Sequence, residues 1–198
     1  MMPLKVAIAV LTGRERHQWI NPDLTVSIFK AARDPRFETH LMLVRDARPF
    51  EVARNVALAS GRDASMDWVL MIDNDNFPPF DLLDPIAEAE KDGAKWVVSV
   101  PSAVLLSGKS RMIAGCQMIA IKRRAWEKLG KGPWFRWVPS DNETLDQGPG
   151  GMSEDAYFIH KCLDAGIKVW QYSKFAGHYR TVDIEPAGAE LARVEGGF

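Results

Sequence analysis

The chain is poor in cysteine, has no long apolar run and carries no excess of one charge, and each absence removes a class of protein. Its 2 cysteines, Cys116 and Cys162, form no C-x-x-C pair, so a zinc ribbon or a thioredoxin-type site is excluded. Apolar neighbours mark both as buried, reduced thiols. No stretch of about 18 consecutive apolar residues occurs, so no transmembrane helix is expected. The N-terminal apolar run in MMPLKVAIAVLTGRER is short and lacks a basic leader and an A-x-A site. It reads as a first strand rather than a signal peptide, and the expected location is the cytoplasm. Basic and acidic side chains number 25 and 26, net −1, so there is no bulk attraction to nucleic acid or to an anionic membrane. Glycine and proline, 15 and 12, are too few and too aperiodic for a fibrous or low-complexity chain.

What is present reads as one globular domain. At 198 residues, 46% hydrophobic and 26% charged, the chain can bury about 70% of its unfolded surface. It therefore needs neither disulfide nor structural metal to fold. No internal repeat is visible. Strand-like and helix-like segments alternate. Lys5–Leu11, Thr39–Val44, Trp68–Ile72 and Lys95–Val100 read as strands, and continuous apolar runs such as KVAIAVL and WVLMI suit buried parallel strands. Leu24–Arg33, Phe50–Ser60 and Leu82–Lys91 read as helices, with Gly61 as the C-cap of the second. Beyond Val100 the pattern loosens. Gln117–Ile121 is a strand and Arg124–Leu129 a short helix closing at Gly130. Pro139–Gly151 is a polar, glycine-rich loop of the kind that forms lids or binding loops. Ser153 is the N-cap of a helix through Leu163, stopped by Gly166, and Ile167–Tyr172 is a last strand. The alternation predicts an α/β domain over 1–182 with a mostly parallel sheet and helices on both faces. Residues 183–198 read as a mobile tail. Such sheets bind ligands at the carboxyl ends of their strands.

The chemistry concentrates in Trp68-Val-Leu-Met-Ile-Asp73-Asn74-Asp75-Asn76. A buried strand delivers two carboxylates, one residue apart, to its carboxyl end. Two such acids can share a hard divalent cation or its waters, and that ion can hold a diphosphate. The alternative is an acidic turn, since Asp and Asn favour turns and Pro78-Pro79 follows. A haloacid-dehalogenase-type phosphatase also follows an apolar strand with Asp-x-Asp. It usually carries Thr or Val where this chain has Phe77, and its motif opens the chain. An EF-hand loop needs glycine where this chain has Pro78. Ala103–Ser110 (AVLLSGKS) fits a relaxed P-loop pattern, but Val104-Leu105-Leu106 is a stiff cradle and no good helix follows.

Three further features have both a structural and a functional reading. Arg54-Asn55-x-Ala57 is either an exposed polar helix face or part of a site. Glu154 and Asp155, in the first turn of a helix, are either dipole partners or acids facing a cleft behind a glycine-hinged loop, one of them a general base. His178 and Arg180 are either structural, or an imidazole completing a metal sphere and a guanidinium facing phosphate.

In order and spacing, Arg54-Asn55-x-Ala57, the Asp73-Asn74-Asp75 strand end, Gly115–Leu129 with its basic-aromatic helix, Ser153-Glu154-Asp155 and His178 resemble a GT-A-fold glycosyltransferase. The likeness is to the family 2 type and its small bacterial and phage relatives, and it spans roughly Lys5 to Val182. The resemblance implies transfer of a hexose from a nucleotide-diphosphate sugar, UDP- or GDP-linked, with Mn²⁺ or Mg²⁺. It implies Asp75 as the main metal ligand, with Asp73 assisting or contacting the ribose or sugar, and His178 on the same ion. Thr12, Gly13 and Arg14 match where the family holds the nucleotide, and Arg54 lies near nucleotide or sugar. Asp155, or Glu154, matches the base of inverting members, and Arg180 would face the diphosphate. The acceptor could be a glycan, a lipid-linked sugar, a protein or a modified nucleic-acid base. Trp134 and Trp137 are either core residues or stacking platforms for an acceptor, whereas Trp126 reads as core. Lys122-Arg123-Arg124, Lys128, Lys131 and Arg136 make this region locally basic, as a solvated face or for an anionic acceptor.

Overall fold

The computed structural model describes residues 2–12, 19–45, 49–106, 109–138, 152–174 and 176–178. For 102–106, 109–116, 177 and 178 it describes the backbone alone. In chain order the elements are β1 (Leu4–Leu11), α1 (Pro22–Ala31), β2 (Phe37–Val44), α2 (Phe50–Asp63), β3 (Trp68–Asp73) and β4 (Asn76–Phe77). Then come α3 (Asp84–Asp92), β5 (Val97–Leu106), β6 (Lys109–Lys122), α4 (Arg123–Leu129), α5 (Glu154–Asp164), β7 (Val169–Gln171) and β8 (Ala176–His178).

The strands form one sheet in the order β2-β1-β3-β6-β5-β8-β4, with β7 also pairing β5. The α/β class, the single domain and the two helical layers are as the sequence predicts. The sheet is mixed in detail. Pairs β1–β2, β1–β3, β5–β7 and β5–β8 are parallel, while β3–β6, β5–β6 and β4–β8 are antiparallel. Alternate residues of the central strands feed two cores. Ala7, Ala9, Val69 and Met71 pack with Ala53 and Ala57 of α2, Trp126 of α4 and Phe158 of α5. Val6, Ile8, Leu70 and Ile72 pack with Leu24 of α1 and Ile86 of α3. Burial on both faces is why β1 and β3 are continuously apolar.

Local signals set most helix ends. The Asn21 side chain accepts a hydrogen bond from the Asp23 N–H at 2.7 Å, with Pro22 in the first turn of α1. Ser153 Oγ accepts from the Ala156 N–H at 3.3 Å at the start of α5, and Gly130, at φ 73°, ends α4. Each satisfies or relieves an orphan helix terminus.

Two sequence expectations are corrected. Gly61 is not a C-cap: α2 runs on to Asp63. A Cβ at Gly61 would lie 2.2 Å from Val69 Cγ2, so the glycine lets helix and strand approach. Ala103–Ser110 is not a P-loop. It falls in the β5–β6 hairpin, where Leu106 pairs with Lys109 in an antiparallel ladder, so no helix N-terminus follows to receive phosphate. The strands on either side run longer than Lys95–Val100 and Gln117–Ile121 suggest, because each covers the other's polar edge. Cys162 is buried, and burial pushes its thiol up to about 12, in keeping with an inert structural thiol.

Candidate functional site

The site is built where β1 and β3 end side by side, with Leu11 in register with Asp73. The Asn74 N–H donates to the Leu11 carbonyl at 3.1 Å, and the Asn21 N–H to the Asn74 carbonyl at 2.9 Å. The Asn74 side-chain amide donates to the Trp19 carbonyl. Thr12, buried, donates its N–H to the Val44 carbonyl at 3.0 Å and its hydroxyl to the same oxygen at 3.3 Å. These bonds fasten the ends of β1, β2 and β3 together. The chain leaves β1 through α1 on one face and enters β3 from α2 on the other. That reversal is the usual place for a ligand crevice in an α/β sheet.

On the α2 side of this edge stands Arg54, only 2% exposed. Its Nη2 lies 3.4 Å from Asp73 Oδ1, and its Nε lies 3.6 Å from Asp155 Oδ1 and 3.7 Å from Glu154 Oε1. Residues far apart in sequence thus meet around one guanidinium. Helix α5 aims its first turn, with Ser153 as cap, at the end of β3. The positive end of its dipole favours acids there. Among the described residues the cluster holds three carboxylates and one guanidinium. Burial, and then the neighbouring Asp155 charge, raise the Glu154 carboxyl above the usual carboxylate range, while Arg54 pulls it back down in part.

Asp75 is partly buried one residue beyond Asn74, and its Oδ1 accepts from Asn76 Nδ2 at 3.3 Å. Asn76 is fully buried and pairs with His178 across the antiparallel β4–β8 ladder. The His178 backbone therefore lies beside the Asp75 turn, although the two residues are far apart in the chain. Among the described residues no three His, Cys, Asp or Glu side chains gather as an ion site, and the His178 side chain is not among them. The donors at this edge nevertheless fit a hard cation. Mg²⁺ and Mn²⁺ take carboxylate oxygens, keep waters and draw further ligands from substrate phosphates rather than from an all-protein cage. Asp75 supplies such an oxygen, whereas one Asp73 oxygen faces Arg54.

The aromatic pair separates. Trp134 is 3% exposed, donates Nε1–H to the Gly130 carbonyl at 3.0 Å, and packs in the α2–α5 core. It lacks the open ring face that acceptor stacking requires, because its helix-end hydrogen bond draws the indole inward. Trp137 is 45% exposed and precedes Val138, whose backbone bridges Met152 with bonds of 2.9 and 3.0 Å. An open indole is thus held close to the start of α5. Trp126 is core, as expected. The basic stretch is partly structural: Lys122 Nζ lies 2.6 Å from Glu90 and Arg123 3.2 Å from Asp67. Gly13, Arg14, Arg180, the 139–151 loop and the 183–198 tail lie outside the described residues.

Of two further residues near the site, Asn55 was named in the Arg54-Asn55-x-Ala57 motif without a role of its own, and Gln117 escapes sequence reasoning. Asn55 donates to the Phe135 carbonyl at 2.7 Å and accepts from the Trp134 and Phe135 N–H groups at 2.8 and 3.2 Å. It fixes the segment leading to Trp137. Its place beside Arg54 was the available signal. Gln117 is next in β6 after the Ile72–Met118 pair, at the level of Asp73. Its Oε1 is buried with no hydrogen-bond partner among the described residues. No sequence signal marks it.

No protein-family model matches the chain, and no curated protein matches it by sequence. Solved structures do match. The crystal structure of A197 from STIV aligns at a TM-score of 0.55 and 18% identity, over 91% of this chain and 86% of that one. A mutant of Drosophila β-1,4-galactosyltransferase 7, in complex with manganese, UDP-Gal and xylobiose, aligns at 0.53 and 16% identity. That match covers 87% of this chain and 66% of the galactosyltransferase chain. The fold is GT-A-like.

Proposed function

We propose that the protein is a metal-dependent glycosyltransferase that moves a hexose from a nucleotide-diphosphate sugar to an acceptor hydroxyl. One observation carries this reading. On a GT-A-like fold, the Asp73–Asp75 strand end, the Glu154–Asp155 helix start and the backbone of His178 converge at one edge of the sheet.

In this reading Thr12, Gly13 and Arg14, at the end of β1, border the nucleotide. Asp75 and His178 hold Mn²⁺ or Mg²⁺, with Asp73 beside them. When bound, the ion neutralises charge that builds on the diphosphate as the glycosidic bond breaks. Arg180 adds positive charge on the same side. Asp155 faces the acceptor from the first turn of α5 and, in an inverting reaction, takes the proton of the attacking hydroxyl. The acceptor oxygen bonds to the anomeric carbon, and the nucleoside diphosphate departs with the electron pair of the broken bond. In a retaining reaction the departing phosphate takes that proton and Asp155 positions the acceptor. Glu154, whose carboxyl is raised by burial, is the second carboxylate of the same helix turn. Trp137 offers the acceptor a stacking face.

The test is incubation with UDP- and GDP-sugars with and without Mn²⁺. Release of nucleoside diphosphate that needs Mn²⁺, is lost in Asp75→Ala and falls about 10²–10⁴-fold in Asp155→Asn supports the reading. Hydrolysis of phosphomonoesters in its place, through Asp73 and Asp75, would replace it with a phosphatase. Mn²⁺-dependent donor binding that yields no product with any acceptor would leave a nucleotide-sugar-binding module.

A further inference from the structure

We infer that Arg54 is a positioning residue: from α2 its guanidinium serves as the shared counter-ion that sets the Asp73 carboxylate and the Glu154–Asp155 pair in one fixed arrangement. The geometry carries this. Arg54 is almost wholly buried, so its guanidinium has little surface with which to meet a phosphate in solvent. Its nitrogens instead lie 3.4–3.7 Å from carboxylates on two other elements. Those elements, β3 and α5, lie far apart in the chain, and among the described residues no other ion pair joins them.

A planar guanidinium can face several carboxylates at once, which an ammonium point charge cannot do as well. The three acids without it would repel one another at the helix start and the strand end. Glu154 faces Asp155, Arg54 and Glu51, and Arg54 is the cation among these. Asn55, the next residue of α2, fixes the Trp134–Phe135 backbone by three hydrogen bonds. One turn of α2 therefore sets both the carboxylates and the segment that presents Trp137. This places Arg54 behind the site, in the machinery that aims Asp155, rather than on the donor. Only the activity arm of the test rests on the glycosyltransferase reading.

The experiment uses the full chain and follows Glu and Asp carboxylate carbons by ¹³C NMR across the acid-to-neutral range, with Arg54→Met, Arg54→Gln and Arg54→Lys. Removing the guanidinium is expected to raise the Glu154 midpoint by about one pH unit or more, with Arg54→Lys restoring part of the shift. In parallel, UDP binding with Mn²⁺ is measured by calorimetry. It is expected to change less than about threefold while turnover of UDP-galactose falls, a kcat effect rather than a KM effect. Arg54→Gln serves if Arg54→Met does not fold. A Glu154 midpoint that stays in place in both neutral variants overturns the inference. So does a loss of UDP binding that tracks the loss of the guanidinium. Failure of the unaltered protein to bind UDP at all overturns the glycosyltransferase reading instead, and the carboxylate titration then decides this inference by itself.

Discussion

Asp73 and Asp75 stand one residue apart and occupy different chemical regions. Asp73 ends β3 under the α2 layer, facing a buried guanidinium. Asp75 sits in the turn between β3 and β4, held to Asn76 and bordered by β8. In a continuing strand, alternate residues would share one face and one ion. The turn at Asn74 and Asp75 ends the pleat there, so the two carboxylates need not act as twins. One belongs to a packed charge cluster and the other to an edge suited to a cation. The spacing of an Asp-x-Asp motif alone does not show that its two carboxylates meet different neighbours.

The largest way to break this contrast is at its buried half. Arg54→Met removes the buried guanidinium that faces three partly buried carboxylates and is expected to cost about 3–5 kcal/mol of stability. Asp75→Ala is expected to change stability by under about 0.5–1 kcal/mol. Urea unfolding of both measures the ratio, and equal losses would erase the distinction. The two tryptophans sharpen the same contrast between core and edge. Trp134→Ala should cost about 3–5 kcal/mol through lost packing. Trp137→Ala should stay within about 0.5 kcal/mol and show itself only in acceptor use.

Smaller effects follow from the support beneath the cluster. Gly61→Ala drives a Cβ into Val69 and should cost about 1–3 kcal/mol by overpacking, read as a lower Tm. The smallest effect is that of pH. The Glu154 carboxyl is raised on folding, chiefly by burial and by Asp155. The folded state then binds more protons than the unfolded one between the ordinary carboxylate midpoint and the raised one. Stability should fall as pH rises through that window, by at most about 1.4 kcal/mol per unit, and the penalty is absent below it. Glu154→Gln should flatten that slope in urea unfolding followed against pH, and an unchanged slope would remove Glu154 as its source.

Much of the fold is legible in the chain. The apolar runs at Lys5–Leu11 and Trp68–Ile72 mark central strands because both of their faces must be covered. Ser153 and Gly130 mark helix ends because capping is a contact between near neighbours. The later strands are read less fully, since β5 and β6 owe their length to each other. The site was legible as parts: Asp75, His178, Arg54, Asp73, Glu154 and Asp155 all stand out by residue type and setting. The resemblance grouped Asp73, Asp75 and His178, but the meeting of Arg54 with Asp73, Glu154 and Asp155 was not legible, since Arg54 reads equally well as an exposed helix face. Gln117 and the inward turn of Trp134 had no mark, because each depends on what another element covers.

The primary chain by itself determined the strand and helix alternation, the caps and the acids at the carboxyl end of β3, since these follow from local periodicity and near-neighbour hydrogen bonds. The tertiary structure alone decided that Arg54 meets both Asp73 and Asp155, that His178 lies across from Asn76, and that Gly61 serves a close approach. Those outcomes depend on which element ends pack side by side, a long-range property carried by the whole sheet and its two cores rather than by any one segment.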